Sequence, residues 1–334
     1  KGGGANPPSI AKPAGLYIAA AAGVVAPPTF EPEYVDAFEI GSKNTLLGGG
    51  LIFNATAFYY AYEDYQVSKI IDRSAANENF DATIWGLEFE GIFAPTENLR
   101  FNFALGYLDT EIGEGERSID LMDRTQGGNH SSYLDKDGVE HQLEWDEWIV
   151  MKPWVAATSN CVVPAEAVRV VYEDMNNGVL GNLCLGGGFL NNTFNDIYNP
   201  LTQGPNAGAG FFAEIGGNEL PNAPHWTGSL GAEYSHDLPN GWRGTLRGDF
   251  YYQSQSFHRV YNTQYDKLRA WTNTNISLWF DHEDMGVKAE VYVKNVFDEE
   301  PITDAFLNSD DSALTTNVFT LDPRLIGVSV TKRF

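Results

Sequence analysis

Nine stretches of this 334-residue chain place apolar side chains on every second position, and the connections between them alternate between very short and long. In the last stretch Ile326, Val328, Val330, Lys332 and Phe334 share one face, and Leu325, Gly327, Ser329, Thr331 and Arg333 the other. Most of the stretches run to about ten residues or more, the length at which a tilted strand crosses a bilayer with one face to lipid and one to a polar interior. Strands of a soluble sandwich are usually about half as long. Strand length and loop asymmetry together predict an all-β fold, a transmembrane antiparallel β-barrel with long extracellular loops. No run of ~18 apolar residues exists, so a membrane-spanning helix is excluded. The longest apolar segment, Leu16 to Ala26, is bracketed by Pro13 and Pro27-Pro28 and reads as loop rather than as the core of a signal peptide.

The pattern divides the chain into a Gly/Pro/Ala-rich extracellular loop (1–32), four barrel strands (33–112), a large extracellular loop or subdomain (113–221) and five barrel strands (222–334). Strand one is expected at Glu33–Lys43, and strand two at Gly50–Ile71 with a bend at Glu63-Asp64. A polar loop is expected at Asp72–Asp81, followed by strand three at Ala82–Phe93. Strand four starts near Leu99, and strands five and six flank the turn Asp237–Asn240. Strand seven is expected at Lys267–Phe280, strand eight over Val287–Lys294, and a loop of about 25 residues leads to the last strand. An odd count leaves the last strand without a partner in lipid, where every backbone group needs one, so the nine strands are expected to belong to a larger barrel.

Alternation places Glu88, Glu90, Arg243, Arg247, Asp249, Lys288, Glu290 and Lys294 on the face away from lipid. On the lipid side each charge would cost ~2–4 kcal/mol at mid-membrane, so they are expected to face the lumen. The net charge of −24, from 45 acids against 21 bases, excludes nucleic acid as a partner and fits solvated acidic loops. Cys161 and Cys184, in a Gly/Asn-rich region far from any histidine, are expected to form a loop disulfide. Asp135-Lys136-Asp137-Gly138 has the start of a calcium loop but lacks the later acidic ligands, so no cofactor or metal is expected beyond a weak loop-bound calcium. Neither Gly-x-Ser-x-Gly, nor His-Glu-x-x-His, nor a phosphate-binding loop occurs, and the chain is not expected to be an enzyme.

Several segments match a known family. These are Pro32-Glu33 with Phe38-Glu39-Ile40-Gly41-Ser42-Lys43, Asn54 through Phe58, Asp64-Tyr65-Gln66, Gly86-Leu87-Glu88-Phe89-Glu90 and Gly106-Tyr107-Leu108-Asp109. Pro221-Asn222-Ala223-Pro224, Val293-Lys294-Asn295-Val296-Phe297-Asp298 and Pro323-Arg324 with Gly327 and Phe334 continue the series. In this order the chain resembles the C-terminal barrel half of TonB-dependent outer-membrane receptors. The resemblance implies a 22-stranded barrel, an N-terminal barrel and plug region lying upstream or in a separate chain, and TonB acting through that region. It further implies active import of a scarce solute, a siderophore-like chelate or a saccharide, across the outer membrane of a Gram-negative bacterium. Phe334 is expected to be the signal for the barrel assembly machinery. Ligand contacts are expected from the large loop, at Tyr133, Trp145, Trp148, Trp154 and Tyr172, although most of these aromatics are expected to pack a core for the loop itself. A passive porin-like channel and a surface-binding or scaffold barrel, whose large loop holds a partner, remain the alternatives.

Overall fold

The computed structural model describes residues 1–6, 28–71, 74–135, 137–151, 161–174, 183–184, 197–308 and 314–333. Nine long strands form one antiparallel meander: β1 (Tyr34–Leu46), β2 (Leu51–Ile71), β3 (Ser74–Thr96), β4 (Leu99–Ile112), β5 (Trp226–Asp237), β6 (Trp242–Gln253), β7 (Trp271–His282), β8 (Val287–Lys294) and β9 (Leu325–Lys332). Each pairs with its neighbours in sequence, so among the described residues β1 and β9 are open edges. The predicted antiparallel wall of nine strands is borne out.

The register makes one face continuous across all nine strands. Phe38 opposes Tyr59, which opposes Trp85, and Leu105 opposes Phe89 and Gly228. Leu230 opposes Phe250, Leu246 opposes Leu278, Leu278 opposes Val291, and Val291 opposes Val328. Apart from the half-buried Phe89, these large side chains are exposed, and a contiguous apolar surface of this extent on a sheet face is a surface for lipid. Near the long-loop end Tyr107 touches both Trp85 and Trp226, with ring centroids 5.2 and 4.8 Å away; such an aromatic row suits a membrane interface.

All four short connections lie at one end of the sheet, and local chemistry sets them. Between β5 and β6, Asn240 (φ 63°) and Gly241 (φ 77°) take the left-handed conformations that a tight hairpin needs. Between β7 and β8, Gly286 (φ 60°) does the same. The predicted bend in β2 is a bulge: register shifts between Tyr62 and Tyr65, and Asp64 has φ 59°. An extra residue swaps the faces of a strand, so beyond the bulge Tyr65, Val67 and Lys69 continue the side occupied below it by Tyr62.

Three expectations need correction. Residues 74–81 of the expected loop are strand, because β2 and β3 pair without interruption from Tyr65↔Phe80 to Ile71↔Ser74; 72 and 73 lie outside the described residues. Tertiary contacts hold this polar extension: Phe80 and Ala76 are buried, and the Asn6 amide bonds the Asn77 backbone in both directions at 2.7 Å. Strand seven begins at Trp271, because Lys267-Leu268 pairs instead with Ser256-Phe257. The loop before β9 contains its own hairpin, Ile302–Leu307 against Thr316–Thr320.

Candidate functional site

The face opposite the apolar belt is polar, and Arg243, Arg247 and Lys288 form ion pairs on it. Arg247 donates to Asp249 (Nε–Oδ2 2.9 Å), to Glu233 across the β5–β6 hairpin (3.4 Å) and to Asn102 on β4 (3.0 Å). Gly231 sits beneath this cluster: a Cβ there would lie 2.4 Å from Asn102 Oδ1 and 2.7 Å from Arg247 Nη2. Gly231→Leu is therefore expected to displace the guanidinium, at a cost of about 1–3 kcal/mol in chemical unfolding; Gly248→Leu, where a Cβ meets nothing within 4 Å, is the control.

Glu90 accepts from Asn54 at 2.9 Å, and Glu88 opposes Thr56 and Gly106 on the same face. Arg243 meets Asp237 at 3.3 Å. Lys288 meets Glu290 at 3.2 Å and lies 4.6 Å from the Trp279 ring centroid, and Lys294 lies over Tyr292. All eight charged residues singled out from the sequence fall on this one face. Glu233 and Asn102 were missed, although the Pro239-Asn240-Gly241 turn already fixes Glu233 opposite Arg247.

At the long-loop end, the β2–β3 extension, the start of the insertion, the loop 254–270 and the hairpin before β9 close over a second group of charges. Asp120 and Asp266 are almost fully buried, and Arg259 joins them, with Nη1 2.5 Å from Asp120 and Nε 2.6 Å from Asp266. Asp266 also accepts from the backbone and hydroxyl of Thr263. Lys69 donates to Glu78 (2.7 Å) and Ser118 (3.1 Å); Ser118 donates to Glu78, and the Tyr261 hydroxyl donates to the Ile119 carbonyl. Burial pulls the Lys69 ammonium below its usual range, against the opposing pull of Glu78, and burial pushes the Tyr261 hydroxyl well up. Phe80, Ile112, Ile215, Leu220 and Val260 form the apolar layer beside the network. No sequence motif marks it, because its members come from three segments far apart in the chain.

Burial holds the imidazole of His258 below the usual histidine range, and Arg259 adds to this while Asp266 opposes it. The unfolded chain therefore takes up this proton at higher pH than the fold does. Its contribution to stability is complete above the unfolded value of about 6.5 and is lost as pH falls through the folded value. Amide protection in 256–266 is expected to be lower at pH 5 than at pH 7.5, and hydrogen exchange checks this.

The chain's residues 4–160 match the family model described as TonB dependent receptor-like, beta-barrel. The siderophore receptor PiuA from Acinetobacter baumannii is 15% identical and superposes with a TM-score of 0.51, over 91% of this chain and 29% of that one. The ferric yersiniabactin uptake receptor FyuA from Yersinia pestis is 12% identical, with a TM-score of 0.52 over 90% and 30%. The chain has the fold of a portion of a TonB-dependent receptor-like β-barrel. It spans about 30% of the length of these two receptors. No curated protein matches it. TonB-dependent receptors are transporters of the Gram-negative outer membrane that carry an N-terminal plug and work with TonB.

In this barrel wall the family-like segments have structural jobs. Asn295 (φ 49°) caps the end of β8, donating to the carbonyls of Glu299 (2.8 Å) and Asp322 (3.0 Å). Asp298 accepts from the Arg324 backbone (2.8 Å) and guanidinium (3.1 Å), which ties β8 to the start of β9. Phe334 and Trp154 lie outside the described residues.

The insertion has a core of its own. Trp148 is 2% exposed and packs with Val162, Val163, Val171, Tyr198 and Phe211, and its Nε1 donates to the carbonyls of His130 and Trp145. It is a core residue with no surface for a ligand. Tyr133 and Trp145 lie half-buried against the same core. Tyr172 is exposed on helix α1 (Ala165–Asp174), whose Ala167 and Val171 face inward. Cys161 and Cys184 are joined, with Cα atoms 5.7 Å apart, and close a 23-residue separation. Replacing both with Ser is expected to destabilise this unit by about 3 kcal/mol and to leave the β5–β9 wall intact, which protease digestion of the receptor checks.

Asp135 Oδ1 accepts from the backbones of Asp137 and Val139, and Oδ2 meets His141 Nε2 at 2.8 Å. The His141 bond, with the backbone donors, holds this carboxyl below its usual range. Its oxygens thus serve the turn, and among the described residues no group of three or more such side chains is placed to hold a metal.

Proposed function

We propose that this chain supplies part of the wall and the loop head of an active outer-membrane importer, with the long loops outside the cell. The carrying observation is the wall itself. It is apolar on one face, carries charged side chains on the other and, among the described residues, is open at both edges. Unpaired strand edges are not tolerated in hydrocarbon, so β1 and β9 join the remaining strands of a larger barrel, and the eight charged residues line its lumen. TonB acts through the plug, which belongs to the rest of the receptor. The solute is a scarce chelate of the siderophore type or a saccharide; the siderophore names of the two similar receptors favour the former. Tyr133, Trp145 and Tyr172 are the ligand contacts proposed from the large loop, with Trp154, and Phe334 is the proposed assembly signal.

The complete receptor is expected to be nearly silent in a planar bilayer, and its uptake of ferric chelate to stop when TonB is removed. Steady open-channel steps would replace this reading with a passive porin. Uptake that survives excision of the insertion, together with loss of a surface partner, would favour a surface-binding barrel.

A further inference from the structure

We infer that the second arm of the hairpin before β9, Thr316–Thr320, is a docking edge. Its occupant is an extended segment of the outer loop carried by the strand that pairs with β9 in the closed barrel. The inference rests on the larger-barrel reading and adds to it a contact outside the membrane.

The two arms of the hairpin differ. The first, Ile302–Leu307, is held by the head: Ala305 is buried, Leu307 packs against the cluster of Ile119, Leu121 and Ala209, and Asp304 accepts from the Asn222 amide at 3.0 Å. All five residues of the second arm are exposed. Asn308 donates to the Thr315 carbonyl at 2.9 Å. The alternation of an antiparallel ladder then turns the N–H and C=O of Thr316 and Val318 away from the first arm. Among the described residues no strand takes them up.

An edge that faces water is normally blunted by a charge, a proline or a bulge. The sequence Thr316-Asn317-Val318-Phe319-Thr320 has neither charge nor proline, in a chain of net charge −24. The register shift of the hairpin falls at its base, between Ile302 and Asp304. Neighbours in a strand point to opposite faces, and Val318 and Phe319 are 51% and 50% exposed. Both faces of the arm therefore offer apolar surface beside an open row of backbone groups.

The order of the elements names the occupant. The loop 254–270 joins β6 to β7, and its Lys267-Leu268 abuts the first arm. The first arm follows β8, and residues 321–324 lead from the second arm into β9. This linker is pinned to the end of β8, by Asn295 on the Asp322 carbonyl and by Asp298 on the Arg324 backbone. The upper tier thus repeats the order β7, β8, β9, and its free edge lies on the same side as that of β9. A strand closing the barrel there runs antiparallel to β9, rises to the long-loop end and delivers its outer loop beside Thr316–Thr320. Strand addition through backbone hydrogen bonds, with apolar side chains meeting Val318 and Phe319, fits what the edge presents.

The test uses the complete receptor in lipid nanodiscs, loaded with a single copy and again with two. Hydrogen exchange reads the backbone, and the Val318 amide is expected to exchange about a hundredfold or more slowly than an open strand. A membrane-impermeant maleimide reads the side chain. Val318→Cys is expected to react roughly tenfold or more slowly than Tyr265→Cys, at a residue 77% exposed on the loop 254–270, because the reagent waits on local opening. A freely exchanging amide with a cysteine as reactive as Tyr265→Cys would overturn the inference. So would a shielded cysteine beside a freely exchanging amide, which is cover by lipid, whose tails offer no hydrogen bond. Protection seen only with two receptors in a disc is contact between copies and would overturn it too. In each case slow exchange along the whole of β9 leaves the larger barrel standing, whereas fast amides on its outer edge would remove that reading as well.

Discussion

Asp120→Ala is expected to release the loop head from the barrel while leaving the wall folded. The substitution strips one carboxylate from a guanidinium that is 11% exposed and held 2.5 Å from it. Breaking a buried pair by removing one partner costs about 3–5 kcal/mol, because the remaining charge stays desolvated. Arg259 keeps Asp266, which lies on the same loop, but loses its tie to the insertion. Protection of amides around Ile119, Ile215 and Val260 should fall about a hundredfold or more, since every 1.4 kcal/mol is a factor of ten. Amides of β6 and β7 should hardly change. Glu173→Ala provides the contrast: its pair with Arg169 is exposed on both sides at 3.4 Å, and such pairs contribute ~1 kcal/mol at most. A tenfold or smaller loss of protection in Asp120→Ala would mean that the apolar layer alone holds the head.

Leu278→Lys is the second large effect. Leu278 lies at the middle of β7 on the apolar face, opposite Leu246 and Val291. A lysine there is expected to cost ~2–4 kcal/mol of folding free energy in vesicles. Ser277, one residue away, faces the polar side opposite Arg247 and Tyr292, and Ser277→Lys should cost far less. Chemical unfolding in lipid vesicles reads both. Equal costs would mean that the two faces do not see different solvents.

The wall was legible from sequence because alternation over about ten residues is a strong, local signal. The face of Leu246, Phe250, Leu278 and Val291 follows from counting by two, and so does that of Arg243, Arg247 and Asp249. Even the bend at Glu63-Asp64 was visible, since two acids interrupt an aromatic run. The β2–β3 extension was not. Asn77, Glu78 and Asn79 look like loop residues, and only burial of Phe80 and the clasp from Asn6 make them strand. That is tertiary context overriding propensity.

The head was less legible still. Arg259 and Asp120 are 139 positions apart, and nothing local announces a pair between two loops. Trp148 shows the same limit in another form. An aromatic on a long loop is attractive as a ligand contact, yet a unit of this size needs a core, and Trp148 is that core.

The central claim is that these nine strands are one portion of a larger receptor barrel. The intact mass of the polypeptide purified from outer membranes, measured denatured with and without reductant, tests it most directly. The account predicts a mass well above 36.9 kDa, or a chain of that mass arriving with a partner that supplies the remaining strands. A lone 36.9 kDa chain with nothing co-purifying would contradict it.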